Sequence, residues 1–170
     1  MREITVKLFK FDELDDKAKE RARDWFRQGN DGSFEWENVK EDAKSVGIEI
    51  VSLWDHHPNG GRFMAGALET AHKIKKEHGE SCETFKTTAA FLERRDALVD
   101  SADKDENGDM AEEHILADAL DELESEYLHD LLEDYRIMLA KENEYANSDE
   151  TVDENIRCNE YEFTEDGKRA

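Results

Sequence analysis

The sequence predicts an α+β protein in which a small antiparallel sheet of about three to four strands packs against several helices. One helix is long and acidic, because apolar residues recur at steps of three or four through most of residues 103–145. Short alternating segments near both ends and in the middle are typical of half-buried strands. The chain has 170 residues, one proline and no repeat or linker, so we predict a single domain spanning residues 1–170.

One strand and two helices are predicted in the first 46 residues. Residues 3–9 alternate between two faces, with Ile4, Val6 and Leu8 on one of them. Residues 12–29 form a helix that starts in a group of aspartates and stops at Gly29. Its predicted buried face carries Leu14, Ala18, Ala22, Trp25 and Phe26. A second helix spans residues 34–46, and its predicted buried residues are Phe34, Trp36, Val39, Ala43 and Val46.

The remaining elements follow from the same two periodicities. Residues 48–54 form the second strand, residues 56–61 a turn, and residues 62–68 the hairpin partner. Helices are predicted at 69–78, at 83–102 and, capped by Ser148 or Asp149, at 149–156. The helix at 83–102 is expected to bury Phe85, Ala89, Leu92 and Leu98. Residues 160–164 form a closing strand that lies beside the first one.

The negative charge is concentrated in one region. The chain has 45 Asp and Glu against 23 Lys and Arg, a net charge of −22, and residues 103–134 alone hold 14 acids and one base, Lys104. Such a field repels nucleic acid and anionic membranes and attracts basic protein surfaces or cations. At a helical rise of about 1.5 Å the segment carries about one carboxylate per 3.4 Å. Phosphates follow each other at about the same spacing along one DNA strand.

The long helix is therefore the predicted partner-binding element. Its apolar stripe consists of Met110, Leu116, Leu120, Leu123, Tyr127, Leu131, Tyr135 and Met138. The carboxylates expected to replace phosphates are Glu112, Glu113, Asp118, Asp121, Glu122, Glu124, Glu126, Asp130, Glu133 and Asp134. The alternative is that these acids form a solvated face that only keeps the protein soluble. The stripe does not keep a strict heptad, which favours packing on the chain's own core and a monomer or weak homodimer.

The segment before the long helix has part of a calcium-loop pattern. Asp103, Asp105, Asn107, Gly108 and Asp109 occupy positions 1, 3, 5, 6 and 7 of an EF-hand loop. Position 12 requires a bidentate Glu, but this chain has a histidine there. We therefore predict no metal site, and the segment is interpreted as a turn that caps the helix.

No pattern in the chain dictates a reaction. The histidine pairs His56–His57 and His72–His78 lack the i, i+4 spacing that places two metal ligands on one helix face. No serine or cysteine lies in a glycine-flanked nucleophile turn. Neither an enzymatic activity nor a cofactor is predicted.

Two further features concern the cellular compartment. Cys82 and Cys158 lie far apart without a CxxC spacing, which suits a reducing compartment. The opening MREITVKLF has no apolar run of signal-peptide length, and no stretch reaches that of a membrane span. A cytoplasmic protein with no membrane partner is expected.

The two ends of the chain resemble a known family. The opening KFDELDDKAKERARDWFRQG and the ending DENIRCNEYEFTEDGKR are similar to small proteins of tailed bacteriophages and prophages, often labelled "antitoxin of toxin-antitoxin stability system". In that family a glycine- and aromatic-rich strand pair lies where this chain has IVSLWDHHPNGGRFMAGAL. The resemblance implies no catalytic residues.

Charge and resemblance together lead to two functional hypotheses. The first is a phage-encoded protein that inhibits a host nucleic-acid-binding defence or regulatory complex by nucleic-acid mimicry, without contacting nucleic acid itself. The alternative is an antitoxin that neutralises a cognate toxin, as the family label implies. Both require a basic protein surface as the partner.

Overall fold

The structure is a computed structural model that describes residues 7–30, 32–53, 59–102 and 110–170, without the side chains of residues 102 and 110–113. In chain order, the described elements begin with strand β1 (Phe9–Lys10), a short 3₁₀ helix (Phe11–Glu13), α1 (Asp16–Gly29) and α2 (Ser33–Ser45). They continue with β2 (Ile48–Ser52), β3 (Gly60–Phe63), α3 (Ala67–Glu77), α4 (Glu83–Ala102), α5 (Met110–Ala146), α6 (Asp149–Cys158) and β4 (Glu162–Phe163). Helices with two small antiparallel sheets confirm the predicted α+β class.

The prediction of one sheet with three to four strands is wrong for the described residues. β1 pairs with β4, with Phe9 opposite Phe163, and this confirms the predicted neighbourhood of the first and last strands. β2 pairs with β3, with Ile48 opposite Phe63. The two pairs remain separate because each is built into a different compact unit of the chain. Residues 3–6 of the predicted first strand, residues 56–58 of the predicted turn and residues 103–109 lie outside the described residues.

The terminal unit combines the two ends of the chain, Met1–Trp36 and Ala140–Ala170. Its core is aromatic and aliphatic, and β1, the 3₁₀ helix and α1 pack there with α6 and β4. The Asp15 side chain caps α1 by accepting from the Ala18 N–H, and Ser148 caps α6 in the same way, as predicted. The buried core residues are Phe11, Leu14, Ala18, Ala22, Val152, Ile156 and Phe163.

The central unit spans Glu37–Leu139. The β2–β3 hairpin packs closely on α5, because a side chain at Gly61 would come within 2.8 Å of the Leu132 side chain. A glycine is therefore needed at that position. The buried apolar residues come from α2, β2, α3, α4 and α5 and from the turn between α2 and β2: Val39, Ala43, Val46, Ile48, Ile50, Ala67, Ala71, Ile74, Phe91, Leu123, Tyr127, Leu131, Leu132 and Tyr135. The prediction of a single domain stays a prediction.

Three predicted features need correction. Phe34 is 72% exposed, and the residue buried beside it in α2 is Glu35. Helix α4 has the predicted bounds, but it buries Thr84, Thr88 and Phe91 rather than its predicted apolar face. Threonines can be buried there because their hydroxyls are hydrogen-bonded, as described below. The predicted hairpin partner at 62–68 is instead β3, since Ala67 already begins α3.

Candidate functional site

The orientation of α5 is fixed by an aromatic and aliphatic stripe. The Tyr127 ring stacks on the Phe91 ring of α4 at a centroid distance of 4.0 Å, and its hydroxyl lies 2.8 Å from the Thr88 Oγ1. The Tyr135 hydroxyl donates to the Asp42 Oδ2 at 3.0 Å. Burial raises the pKa of Tyr127 to about 12 and raises that of Tyr135 further, so both hydroxyls stay protonated. These contacts decide which carboxylates of α5 face solvent.

Four of the predicted partner-binding acids form a ladder on one face of α5. Asp118, Glu122, Glu126 and Asp130 follow each other at steps of four residues and are all exposed. At about 1.5 Å per residue, successive acids of this acidic ladder are about 6 Å apart along the helix. The carboxylates that together average about one per 3.4 Å therefore lie on several faces of the helix and do not form a single line.

The other predicted acids differ in position and in partners. Asp121 lies about 100° round the helix from Glu122, and Glu124 about 200°, so neither belongs to the ladder. Glu133 continues the ladder face, but its carboxylate is bound by the Arg136 guanidinium at 2.6 and 2.8 Å. That hydrogen bonding lowers the pKa of Glu133. The side chains of Glu112 and Glu113 lie outside the described residues.

Asp134 is turned away from the ladder toward α4. It accepts a 2.7 Å hydrogen bond from the Thr87 hydroxyl, and burial raises its pKa. It lines a groove of about 390 Å³ between α4 and α5, with Asp130 and Glu133 from the same helix. Lys86 and Arg94 lie on the α4 side of this groove.

The side chains that α4 adds beside the ladder were not predicted from the sequence. Thr87, Phe91 and Arg94 are spaced by four and three residues, so the helical period places them on one face. Arg94 binds Glu126 at 2.7 Å, and both side chains are more than half exposed. One acid of the ladder is thus already paired, although such an exposed pair is weak.

The arrangement can bind cationic groups by electrostatic attraction. Among the described residues, Asp121, Glu122, Glu124 and Asp130 form no ion pair with a base, and Asp118 approaches His114 at 3.7 Å. No group of three or more potential metal ligands occurs in the part of the chain that the structure describes. A field of carboxylates without bases is suited to exposed lysines and arginines on another macromolecule.

A second polar group lies inside the central unit. The His78 Nδ1 is 2.8 Å from the Thr84 Oγ1, and its Nε2 is 3.6 Å from the Asp42 Oδ2. The hydroxyl, imidazole and carboxylate are in the order of a hydrolase triad. Thr84 is only 1% exposed, however, so a substrate cannot reach its hydroxyl. The His78–Thr84 hydrogen bond joins the end of α3 to the start of α4, while the His78 Nε2 is buried without a hydrogen-bond partner among the described residues.

Comparison of the chain with protein-family models, with curated proteins and with solved structures finds no match. Within the described residues, no helix combines the length and apolar character needed to cross a membrane. The candidate site is therefore interpreted from its own geometry and charge.

Proposed function

We propose that this protein is an acidic interaction protein that inhibits another protein by covering its basic, nucleic-acid-binding surface with the acidic ladder of α5. The observation that carries the proposal is the ladder itself: four exposed carboxylates on one face of a helix whose opposite face is anchored in the core. Removal of bound counterions and attraction to Lys and Arg would drive the association, as they do for nucleic acid.

The ladder resembles a phosphate backbone in charge sign and linear arrangement. Its axial spacing of about 6 Å is wider than the roughly 3.4 Å between phosphates of one strand. The proposed partner therefore has basic side chains that reach the helix individually, rather than a rigid groove that measures phosphate spacing. Long, flexible lysine and arginine side chains meet this requirement.

The resemblance of the two chain ends to phage proteins suggests where the partner should be sought. A phage protein acts inside a bacterial host, where defence and regulatory complexes handle nucleic acid. The partner class proposed first is thus a host nucleic-acid-binding protein. The proposed complex involves no nucleic acid bound by this chain and no membrane.

The test is capture of partners from a bacterial lysate at about 100 mM salt, where the Debye length is about 10 Å. The ladder variant is D118N/E122Q/E126Q/D130N. The matched control, E142Q/E144Q/E154Q/E165Q, removes the same number of exposed acids from the terminal unit. We expect the wild type and the control to capture the same protein, the ladder variant to lose it, and salt to elute it.

The captured protein must then bind nucleic acid, and the wild-type chain must compete with that nucleic acid. Equal capture by the ladder variant, or a complex that is insensitive to salt, would contradict the proposal. If the captured protein has no affinity for nucleic acid, the mimicry part of the proposal fails.

The alternative function is an antitoxin, which the label of the resembled family favours. In that case the partner is a toxin whose expression stops growth. Co-expression of this chain would restore growth, and the ladder variant would not. Rescue together with no competition against nucleic acid would select this alternative.

A further inference from the structure

The terminal unit contains a cavity of about 630 Å³ that the acidic ladder does not use. Three half-buried aromatic side chains line it, Trp25 and Phe26 of α1 and Tyr161 just before β4. Glu35 of α2 and Asn155 of α6 also line it. Small-molecule and side-chain pockets of proteins typically have volumes of about 300–1,000 Å³, with mainly aromatic walls and few polar groups.

Glu35 is the unusual member of this lining. The residue is only 9% exposed, and its Oε2 is buried without a hydrogen-bond partner among the described residues. A buried carboxylate oxygen without a donor loses its hydration and gains nothing in return. A ligand that brings a positively charged N–H donor into the cavity would supply the missing hydrogen bond once the buried Glu35 carboxylate turns toward it.

The aromatic walls also suit a cation. Trp25 and Tyr161 meet edge to face with a centroid distance of 5.2 Å, and the Arg169 guanidinium lies 4.8 Å from the Tyr161 centroid and 5.8 Å from that of Trp25. These distances are within the range of cation–π attraction. Arg169 is not among the residues that line the cavity. The same rings thus already hold one guanidinium of this chain.

We propose that this cavity binds a guanidinium group against its aromatic wall of Trp25, Phe26 and Tyr161, with the Glu35 carboxylate as its hydrogen-bond acceptor. A guanidinium is favoured over an ammonium because its planar fork can stack on a ring while donating two parallel N–H groups to one carboxylate. The proposal is independent of the acidic ladder, which belongs to the central unit. The guanidinium can come from an arginine side chain of a protein or from a free guanidino compound.

Binding is measured by calorimetry and by the indole N–H signal of Trp25, assigned with the W25F variant. The probes are N-acetylarginine methylamide and its uncharged analogue N-acetylcitrulline methylamide. We expect the arginine probe to bind and to shift the Trp25 signal, and the citrulline probe to bind at least about tenfold more weakly, as loss of a charge-assisted hydrogen bond implies. Equal binding of both probes, or no binding of the arginine probe, overturns the proposal.

The E35Q variant keeps the shape of the side chain and removes its charge. We expect at least about a tenfold loss of affinity for the arginine probe, and an unchanged melting temperature would show that the variant folds normally. E154Q, an exposed Glu of α6 in the same unit, is the matched control and should bind within about twofold of the wild type. Wild-type affinity in E35Q overturns the proposal.

Methylguanidinium distinguishes the two sources of the ligand. If it binds as tightly as the arginine probe, the cavity recognises the guanidinium alone, which indicates a free guanidino compound. If it binds at least about tenfold more weakly, contacts to the peptide groups contribute, which indicates an arginine side chain of a protein. Both outcomes support a guanidinium site, and the E35Q result decides whether Glu35 is its acceptor.

Discussion

The terminal unit and the ladder face of α5 are both rich in acids, but only the terminal unit surrounds its acids with arginines. Arg23 binds Asp153 through two nitrogens at 2.6 and 2.8 Å, and its pKa is raised, chiefly by that hydrogen bonding. Arg157 binds Asp12 at 2.9 Å, and Arg27 binds Asp149. Along the ladder, the only arginine contact among the described residues is the exposed Arg94–Glu126 pair.

This difference shows that net charge alone does not identify a binding surface. Acids that are paired within the chain hold elements together, whereas acids without bases leave their field available to a partner. The functional prediction therefore depends on where the arginines are.

Replacing Arg23 in the terminal unit and Arg94 beside the acidic ladder should give very different losses of stability. R23M leaves Asp153, whose side chain is only 14% exposed, without its main partner, and we expect the free energy of unfolding to fall by about 3 kcal/mol. R94M removes an exposed pair and should cost no more than about 0.5 kcal/mol. Urea unfolding of the two variants measures both values. Equal losses would contradict the claim that arginine pairing stabilises the terminal unit more than the ladder.

The sequence was sufficient for the elements that depend on local periodicity. The bounds of α4 and the anchored part of α5 follow from apolar residues at steps of three and four. The α1 cap, Asp15, belongs to the predicted group of aspartates, and the α6 cap, Ser148, is one of the two predicted candidates. These features depend on residues close together in the chain, so they can be read without knowledge of the tertiary contacts.

The sequence was insufficient where burial depends on distant partners. Thr84 and Thr88 are absent from the predicted buried face of α4, but Tyr127 and His78 supply the hydrogen bonds that allow their burial. The arginine partners of the terminal unit are separated by 130 residues in the case of Arg23 and Asp153. The aromatic cavity also depends on residues that are far apart in the sequence, because Trp25 and Tyr161 come from opposite ends of the chain.

Removing the charge of Asp153 and removing that of Asp134 should change the stability of the protein in opposite directions. Hydrogen bonding to Arg23 lowers the folded-state pKa of Asp153, so its contribution is complete above the unfolded value of about 3.9 and is lost as the pH falls through the folded pKa. D153N should therefore lower the free energy of unfolding by about 1.5–3 kcal/mol at pH 7, and the loss should shrink in acid.

For Asp134 the signs are reversed. Burial raises its folded-state pKa, so the penalty for its charge is present above that pKa and disappears as the pH falls to the unfolded value. D134N keeps an oxygen that can accept from the Thr87 hydroxyl, and it should raise the melting temperature at pH 7 but not in acid. Thermal unfolding of both variants between pH 3 and 7 measures the contrast, and a shift of the same sign in both would contradict it.

The smallest effect is expected within the ladder itself. Glu122 has Asp118 four residues before it and Glu126 four residues after it, and like charges at that spacing repel by a few tenths of a kcal/mol per pair. E122Q should therefore stabilise the protein by about 0.5 kcal/mol at low salt, and the gain should vanish in high salt as the repulsion is screened. E142Q serves as the control, since Glu142 is exposed and has no acid four residues before or after it. If E122Q stabilises the free protein and also weakens a salt-sensitive complex, Glu122 contributes to binding and not to the stability of the fold. If E122Q instead destabilises the free protein, the ladder serves the fold and the contrast with the terminal unit is lost.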